Sequence, residues 1–306
     1  MTKPSMYFPM IGKRIRSLGV LMAWACAVAP AHAALVNFQN FNNLSAFTLN
    51  GSTGAINTGG QGVIGPNVGD DRVLRLTNNV SQAGSAFLTA PFSLAADASF
   101  SSYFEFQFTD QQNSGADGIV FTVQTVANTA GGGGGGIGYQ GLAPSIGVEF
   151  DNWNNGVGDG HNGNHAGIDV NGDTNSVVRA DILPAQLDSG SIFHAWVDYN
   201  GAIDLLEVRL GLNDTRPAAA LMSYGVDLVS LLGTTNAFIG FTSGTGFAGA
   251  DHDIRRWVLD GQFNPIVDPG NPGATVPEPG VLALLSIALL GFGVSRSRCQ
   301  SGITPA

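Results

Sequence analysis

The chain has 306 residues, of which 44% are hydrophobic and 12% charged, with 43 glycines and a formal net charge of −10. Between Ala34 and Val276 it carries seven arginines, no lysine and a large excess of aspartate and glutamate, so the central region repels phosphate backbones and nucleic acid is excluded as a partner. Both cysteines, Cys26 and Cys299, lie in the end segments. Stability of the central region therefore rests on a core and on bound metals rather than on disulfides.

In chain order, Lys3, Lys13, Arg14 and Arg16 precede an apolar run from Leu18 to Val28 and then Ala31-His32-Ala33. This is the pattern of a secretory signal over residues 1–33, and the run is too short for a membrane span. From residue 34 to 263, short alternating runs are punctuated by Gly, Asn and Asp, which predicts an all-β antiparallel sandwich. Phe104, Phe106 and Phe108 alternate with Glu105 and Gln107. Phe193, Ala195, Val197 and Tyr199 lead into Asn200-Gly201, a type I′ turn signal, and Leu206, Val208 and Leu210 return. The one helical signal is a short turn over Val226 to Leu232. Residues 264–279 are rich in Pro and Gly and predict an extended linker. Residues 280–306 hold an apolar segment, Gly280 to Val294, followed by Arg296 and Arg298. As a helix that segment reaches only about 22 Å, short of a hydrocarbon core of roughly 30 Å.

The chemistry concentrates in one hairpin. Ile146, Val148 and Phe150 alternate with Gly147, Glu149, Asp151 and Trp153, placing Glu149 and Asp151 on the polar face of a strand. His165, Gly167 and Asp169 alternate in the same way on a returning strand. Between them, Asn154 to Asn164 is nearly all Gly, Asn, Asp and His, a long loop that contributes Asp159. Three carboxylates and an imidazole crowd around one point, and like charges so placed repel unless a cation sits among them. An all-oxygen donor set suits Ca2+, and carboxylates with one imidazole suit Mn2+ or another transition metal.

The series Glu149, Asp151, Trp153, Asn155, Asp159 and His165-Ala166-Gly167-Ile168 resembles the metal-binding core of the legume-type (L-type) lectins, with one extra residue between Asp159 and His165. The resemblance extends to Phe87–Phe92, Gly115–Phe121, Gly138–Leu142, Ile239–Gly246 and His252–Trp257. It implies a concanavalin A-like jelly roll, with Asp151 and Asp159 bridging two cations. Glu149 and His165 would complete a transition-metal site, and Asn155 with the Trp153 carbonyl a calcium site. For carbohydrate it implies Asp117 accepting from two sugar hydroxyls after a cis peptide, with the Asn155 amide and an exposed Gly138 N–H as donors. Trp153 would stack on the ring, and Gly249, with Ala248 and Ala250, would lie in the loop that shapes the rim. The implied partners are glycans or exopolysaccharide, with a homo-oligomer formed through sheet edges as a further option.

At the other end, Val276-Pro277-Glu278-Pro279, the apolar segment and the arginines resemble the PEP-CTERM sorting signal of envelope-bearing bacteria. That implies transient membrane association, removal by an exosortase and a final place in the cell envelope or outside the cell.

Two rival functions follow from the same residues. Retaining glycosidases of the laminarinase type carry Glu-any-Asp-any-any-Glu on a strand; Glu149 and Asp151 fit, but the third acid is Asn154. Hydrolysis needs two carboxyls about 5–5.5 Å apart as nucleophile and acid, so the expectation is a binding protein, not an enzyme. The other rival is a structural or adhesion protein of the matrix in which metals only brace the loops. Gly131 to Gly136 precede no Lys-Ser or Lys-Thr and predict a flexible loop beside the site. Asp169, Asn171 and Asp173 read as turn residues rather than a second calcium loop, His252 reads as structural, and His161 competes with His165 only in a different loop register.

Overall fold

The computed structural model describes residues 36–66, 69 and 71–270. The expected signal segment, the end of the linker and the apolar tail lie outside the described residues. Among the described residues, no helix is long and apolar enough to cross a membrane.

Strict alternation makes Phe100–Gln112 the central strand of one sheet: Phe104, Phe106 and Phe108 point inward, while Tyr103, Glu105 and Gln107 face out. This back sheet runs Met222–Gly225, Leu205–Gly211, Phe193–Asn200, Phe100–Gln112, Gly249–Asp260, Arg72–Thr77 and Val63–Ile64, with Val36–Phe38 also paired to Gly249–Asp260. The second, front sheet runs Asp173–Ala180, His165–Val170, Ser145–Asp151, Gly118–Gln124, Asn236–Gly244, Ala83–Leu88 and Phe47–Gly51, with Phe92–Ser93 beside Asn236–Gly244. All the pairings are antiparallel. The fold is the expected antiparallel β-sandwich.

Aromatic rings join the two layers. Phe104 stacks on Phe121 at 5.7 Å and meets Phe241 edge-on at 5.0 Å, and Phe106 lies 4.8 Å from Phe150. Phe150 is thus held by the core while its neighbours Glu149 and Asp151 face the other way. Anchoring Phe150 fixes the height at which those two carboxylates stand.

The short helix Leu228–Leu232 falls where expected, capped by Asp227, whose side chain accepts from the Ser230 N–H. A second helical turn, Ser52–Ile56, carries no apolar periodicity and was not foreseen. The Asn200-Gly201 signal needs correction. The strands end at Asn200 and resume at Leu205, so the loop has four residues and closes by Ile203 N–H donating to the Asn200 carbonyl. Gly201 serves close packing instead of a left-handed turn: a Cβ there would stand 2.4 Å from the Asp97 carbonyl oxygen. The two-residue left-handed turn is at Asn171-Gly172, with φ of 57° and 70°.

The segment assigned to the linker begins as part of the domain. Ile266 is buried with Tyr103, Trp196 and Val258 on the outer face of the back sheet, and its carbonyl accepts from Trp196 Nε1 at 2.8 Å. Asn264 N–H donates to Ser101 Oγ, and Gln39 Nε2 to the Pro269 carbonyl. The last apolar residues of this stretch therefore fasten it as far as residue 269.

Candidate functional site

The hairpin register sets Asp151 opposite His165 and Glu149 opposite Gly167, on the outer face of the front sheet. Ligand atoms of Glu149, Asp151 and His165 lie within 4.8 Å of one another, and all three side chains are buried. Gly167 makes the room. A Cβ there would come within 2.5 Å of Glu149 Oε1 and 2.0 Å of Ser176 Oγ, so only glycine lets the carboxylate lie across this strand. Ser176 donates to Glu149 Oε1 at 2.6 Å.

His165 is oriented by its other nitrogen. Nδ1 lies 3.1 Å from the Asn162 carbonyl, which can only accept, so Nδ1 carries the hydrogen and Nε2 points to Glu149 at 3.2 Å. Asp159 stands near the group, within electrostatic reach of His165 and Glu149, but is not one of the three residues whose ligand atoms converge; its carboxylate accepts a short hydrogen bond from Asn155 N–H, and Asp151 Oδ1 accepts from Trp153 N–H at 2.7 Å. His161 is exposed with φ of 62° and stands outside the cluster.

Asp169 is corrected from a turn residue to a fully buried acid beside Glu149. Its place was legible, since it shares a face with His165 and Gly167. Burial, then the charge of Glu149, raises Asp151 and Asp169 well above the usual carboxylate range, and burial also raises Asp159. Buried acids whose like charges repel one another suit a cation, and the donors present, carboxylate oxygens and one imidazole, fit calcium and a transition metal. His252, by contrast, is wholly buried between Thr77, Ser243 and Phe108, and desolvation lowers it to about 3.

Asp117 lies next to the cluster, since Gly118 pairs with Asp151. The Ala116–Asp117 peptide is cis, as the resemblance implied. The Asp117 backbone is fixed on both sides: its N–H donates to the Gly244 carbonyl and its carbonyl accepts from Asn152 N–H. Its side chain is 3% exposed, and Oδ2 has no hydrogen-bond partner. Burial pushes it up to about 6 against the pull of hydrogen bonds from the Asn155 side chain and the Gly246 backbone. Trp153 is half-buried, and Asn155, whose side chain is the one beside Asp117, is exposed.

Two expected participants sit elsewhere. Gly138 is buried and its N–H already donates to the Gly132 carbonyl, so it is not the exposed donor that was expected. Its glycine is needed because φ is +67° and a Cβ would stand 2.4 Å from the Ser243 carbonyl oxygen. The loop glycine that reaches the site is Gly135, where a Cβ would lie 2.4 Å from Asn155 Nδ2. Gly249 is buried against the Asn79–Val80 backbone, and the residue of this loop that stands beside the Asp117 carboxylate is Gly246, whose Cβ position is 3.6 Å from Oδ2. The glycine run is tied down, not free, by hydrogen bonds from Gly131 to Gly138, Gly132 to Gln140 and Gly134 to Thr245. Identical glycines gave no register signal by which Gly135 could have been chosen.

The buried carboxylates and imidazole on one face of an antiparallel β-sandwich, with a recessed aspartate beside them, make this a β-sandwich with a candidate cation site. The chain belongs to the legume lectin domain family, whose pattern matches residues 36–269, and residues 275–298 match the PEP-CTERM protein-sorting motif. A legume lectin domain is a carbohydrate-binding domain. Among solved structures, a Bauhinia forficata lectin in complex with GalNAc is 26% identical with a TM-score of 0.60, covering 74% of this chain and 97% of that one. Basic winged bean lectin with Tn-antigen is 26% identical with a TM-score of 0.59, covering 73% and 96%.

An Arabidopsis thaliana L-type lectin-domain containing receptor kinase, VIII.1, is 29% identical over 60% of this chain and 26% of its own length. The receptor kinase SIT2 of Oryza sativa subsp. japonica is 30% identical over 69% and 35%. The chain thus spans about a quarter to a third of these curated relatives.

Proposed function

We propose that the protein is a calcium-dependent lectin, exported and sorted to the bacterial cell envelope or extracellular matrix, where it holds glycan or exopolysaccharide. The observation that carries this reading is the buried Asp117 Oδ2, an acceptor without a donor, recessed beside the Asn155 side chain and Gly246. A sugar hydroxyl supplies the missing donor, as a charge-assisted hydrogen bond. Glu149, Asp151, Asp159 and His165, with Asn155 and the Trp153 carbonyl, would hold calcium and a second, transition metal. Bound cations offset the carboxylate repulsion and fix the loop from Asn152 to Asn164, and with it the Asn155 amide. Trp153, which is half-buried, would give the sugar an apolar face.

Binding without hydrolysis is the better reading of the same acids. The position where a retaining hydrolase carries its second glutamate is Asn154, an exposed amide that can serve neither as nucleophile nor as acid. A glycan array probed with the mature domain, with calcium and with EDTA, tests the reading: calcium-dependent binding is expected. Loss of thermal stability in EDTA with no glycan bound in either buffer would favour the matrix protein whose metals only brace loops.

The sorting motif and the signal pattern of residues 1–33 support export. Mass spectrometry of protein from its own host is expected to find a chain beginning near Ala34 and ending before Gly280; retention of Gly280 to Arg298 would favour simple anchoring.

A further inference from the structure

From Ile239 to Ile254 one residue alone is exposed, Phe247, at 82%. Among the described residues, the only other large exposed aromatic is Phe263, at 43%. A single exposed apolar side chain is ordinary on a protein surface, but this one differs in where it stands and in how it is held. It follows Gly246, whose Cβ position is 3.6 Å from Asp117 Oδ2, and precedes Ala248, which is buried.

Its backbone is pinned residue by residue. Gly246 N–H donates to the Ala248 carbonyl, the Gly246 carbonyl accepts from Ser81 N–H at 2.8 Å, and the Phe247 carbonyl accepts from Asn113 Nδ2 at 2.8 Å. The neighbouring Thr245 carbonyl accepts from Gln82 and Gly134 N–H groups. An aromatic ring on a fixed backbone contributes contact area at little further entropic cost.

We propose that Phe247 is the stacking platform of a second sugar subsite, so that the ligand class is an oligosaccharide that passes out of the Asp117 recess over the rim. The proposal rests on the reading that Asp117 holds a sugar. Asp117 is nearly sealed while the ring of Phe247 stands outside, so one sugar ring seated on Asp117 occupies the recess and the next unit of the chain meets Phe247. The side chains fastened to this turn, Asn113 and Ser81, are an amide and a hydroxyl, both exposed. An aromatic face within polar groups fits a sugar, whose C–H face is apolar and whose edge carries hydroxyls, better than it fits a hydrocarbon.

The test compares the parent with Phe247→Ala, Phe247→Tyr and Asp117→Asn. The probes are array oligosaccharides, the methyl glycosides of their terminal sugars and the matching phenyl glycosides. Phe247→Ala is expected to weaken oligosaccharides by about five- to tenfold, the range of an aromatic contact, to leave methyl glycosides unchanged, and to be rescued by Phe247→Tyr. Because the side chain is solvent-facing, its melting temperature should match the parent's. Equal weakening of mono- and oligosaccharides would place Phe247 in the first subsite, and weakening confined to phenyl glycosides would make the rim an aglycone site; either overturns the proposal. So does an unchanged oligosaccharide affinity. If Asp117→Asn still loses binding in that case, the sugar reading survives alone; if it does not, both fall.

Discussion

Removal of calcium and any second metal is expected to lower the melting temperature by roughly 5–10 °C. A ligand at one hundred times its Kd stabilises the native state by about 2.7 kcal/mol, and a domain of this size shifts by about 2–4 °C per kcal/mol. Asp151→Ala should remove most of that metal dependence, because Asp151 stands opposite His165 and two residues from Glu149. The pH dependence should reverse sign between the two forms. In the metal-free protein, burial and neighbouring charge hold Asp151 and Asp169 well above the carboxylate range, burial raises Asp159, and Asp117 stands at about 6.

A native pKa above the unfolded value of about 3.9 gives stability that is full below that value and lost as pH rises through the native one. The chelated protein should therefore melt higher at pH 5 than at pH 7.5. The loaded protein should melt lower at pH 5, since protons displace the metal. Calorimetric scans with calcium and with EDTA at both pH values check this; superimposable scans in calcium and EDTA at pH 7.5 would remove the metal site.

Asp117→Asn is expected to weaken sugar binding by more than tenfold without changing metal content. The substitution keeps the shape but removes the charge and turns one acceptor into a donor. Each hydrogen bond to a charged group contributes about 1.5–3 kcal/mol, and about 1.4 kcal/mol is a factor of ten in Kd. Asp117 is beside the ligand cluster but is not counted among the ligands, so bound calcium measured in parallel should equal the parent's. Equal affinity of mutant and parent would move the sugar away from Asp117.

What could be read before folding was what depends on alternation. Period two put Glu149 and Asp151 on one face and His165, Gly167 and Asp169 on the facing strand, and the pairing of Asp151 with His165 realises it. The same logic reached the aromatic core but stopped at turns, because Asn-Gly occurs five times and only contacts distinguish the roles. At Asn171-Gly172 the dihedrals are left-handed, whereas Gly201 is small because Asp97 passes over it. Glycines of the site were ambiguous for the same reason: Gly138 is consumed by Gly132 and Ser243, and Gly135 and Gly246 take the places beside Asn155 and Asp117. Composition likewise marked 264–279 as linker, although Ile266 is buried against Trp196.

The central claim is that metal builds the sugar site, and one titration addresses it most directly. A glycan found on the array is titrated calorimetrically into the parent protein as purified with calcium, after EDTA and dialysis, and after calcium is restored. The account predicts binding, its loss and its recovery, with Asp117→Asn weak even when calcium is full. Undiminished binding by the chelated protein would contradict it.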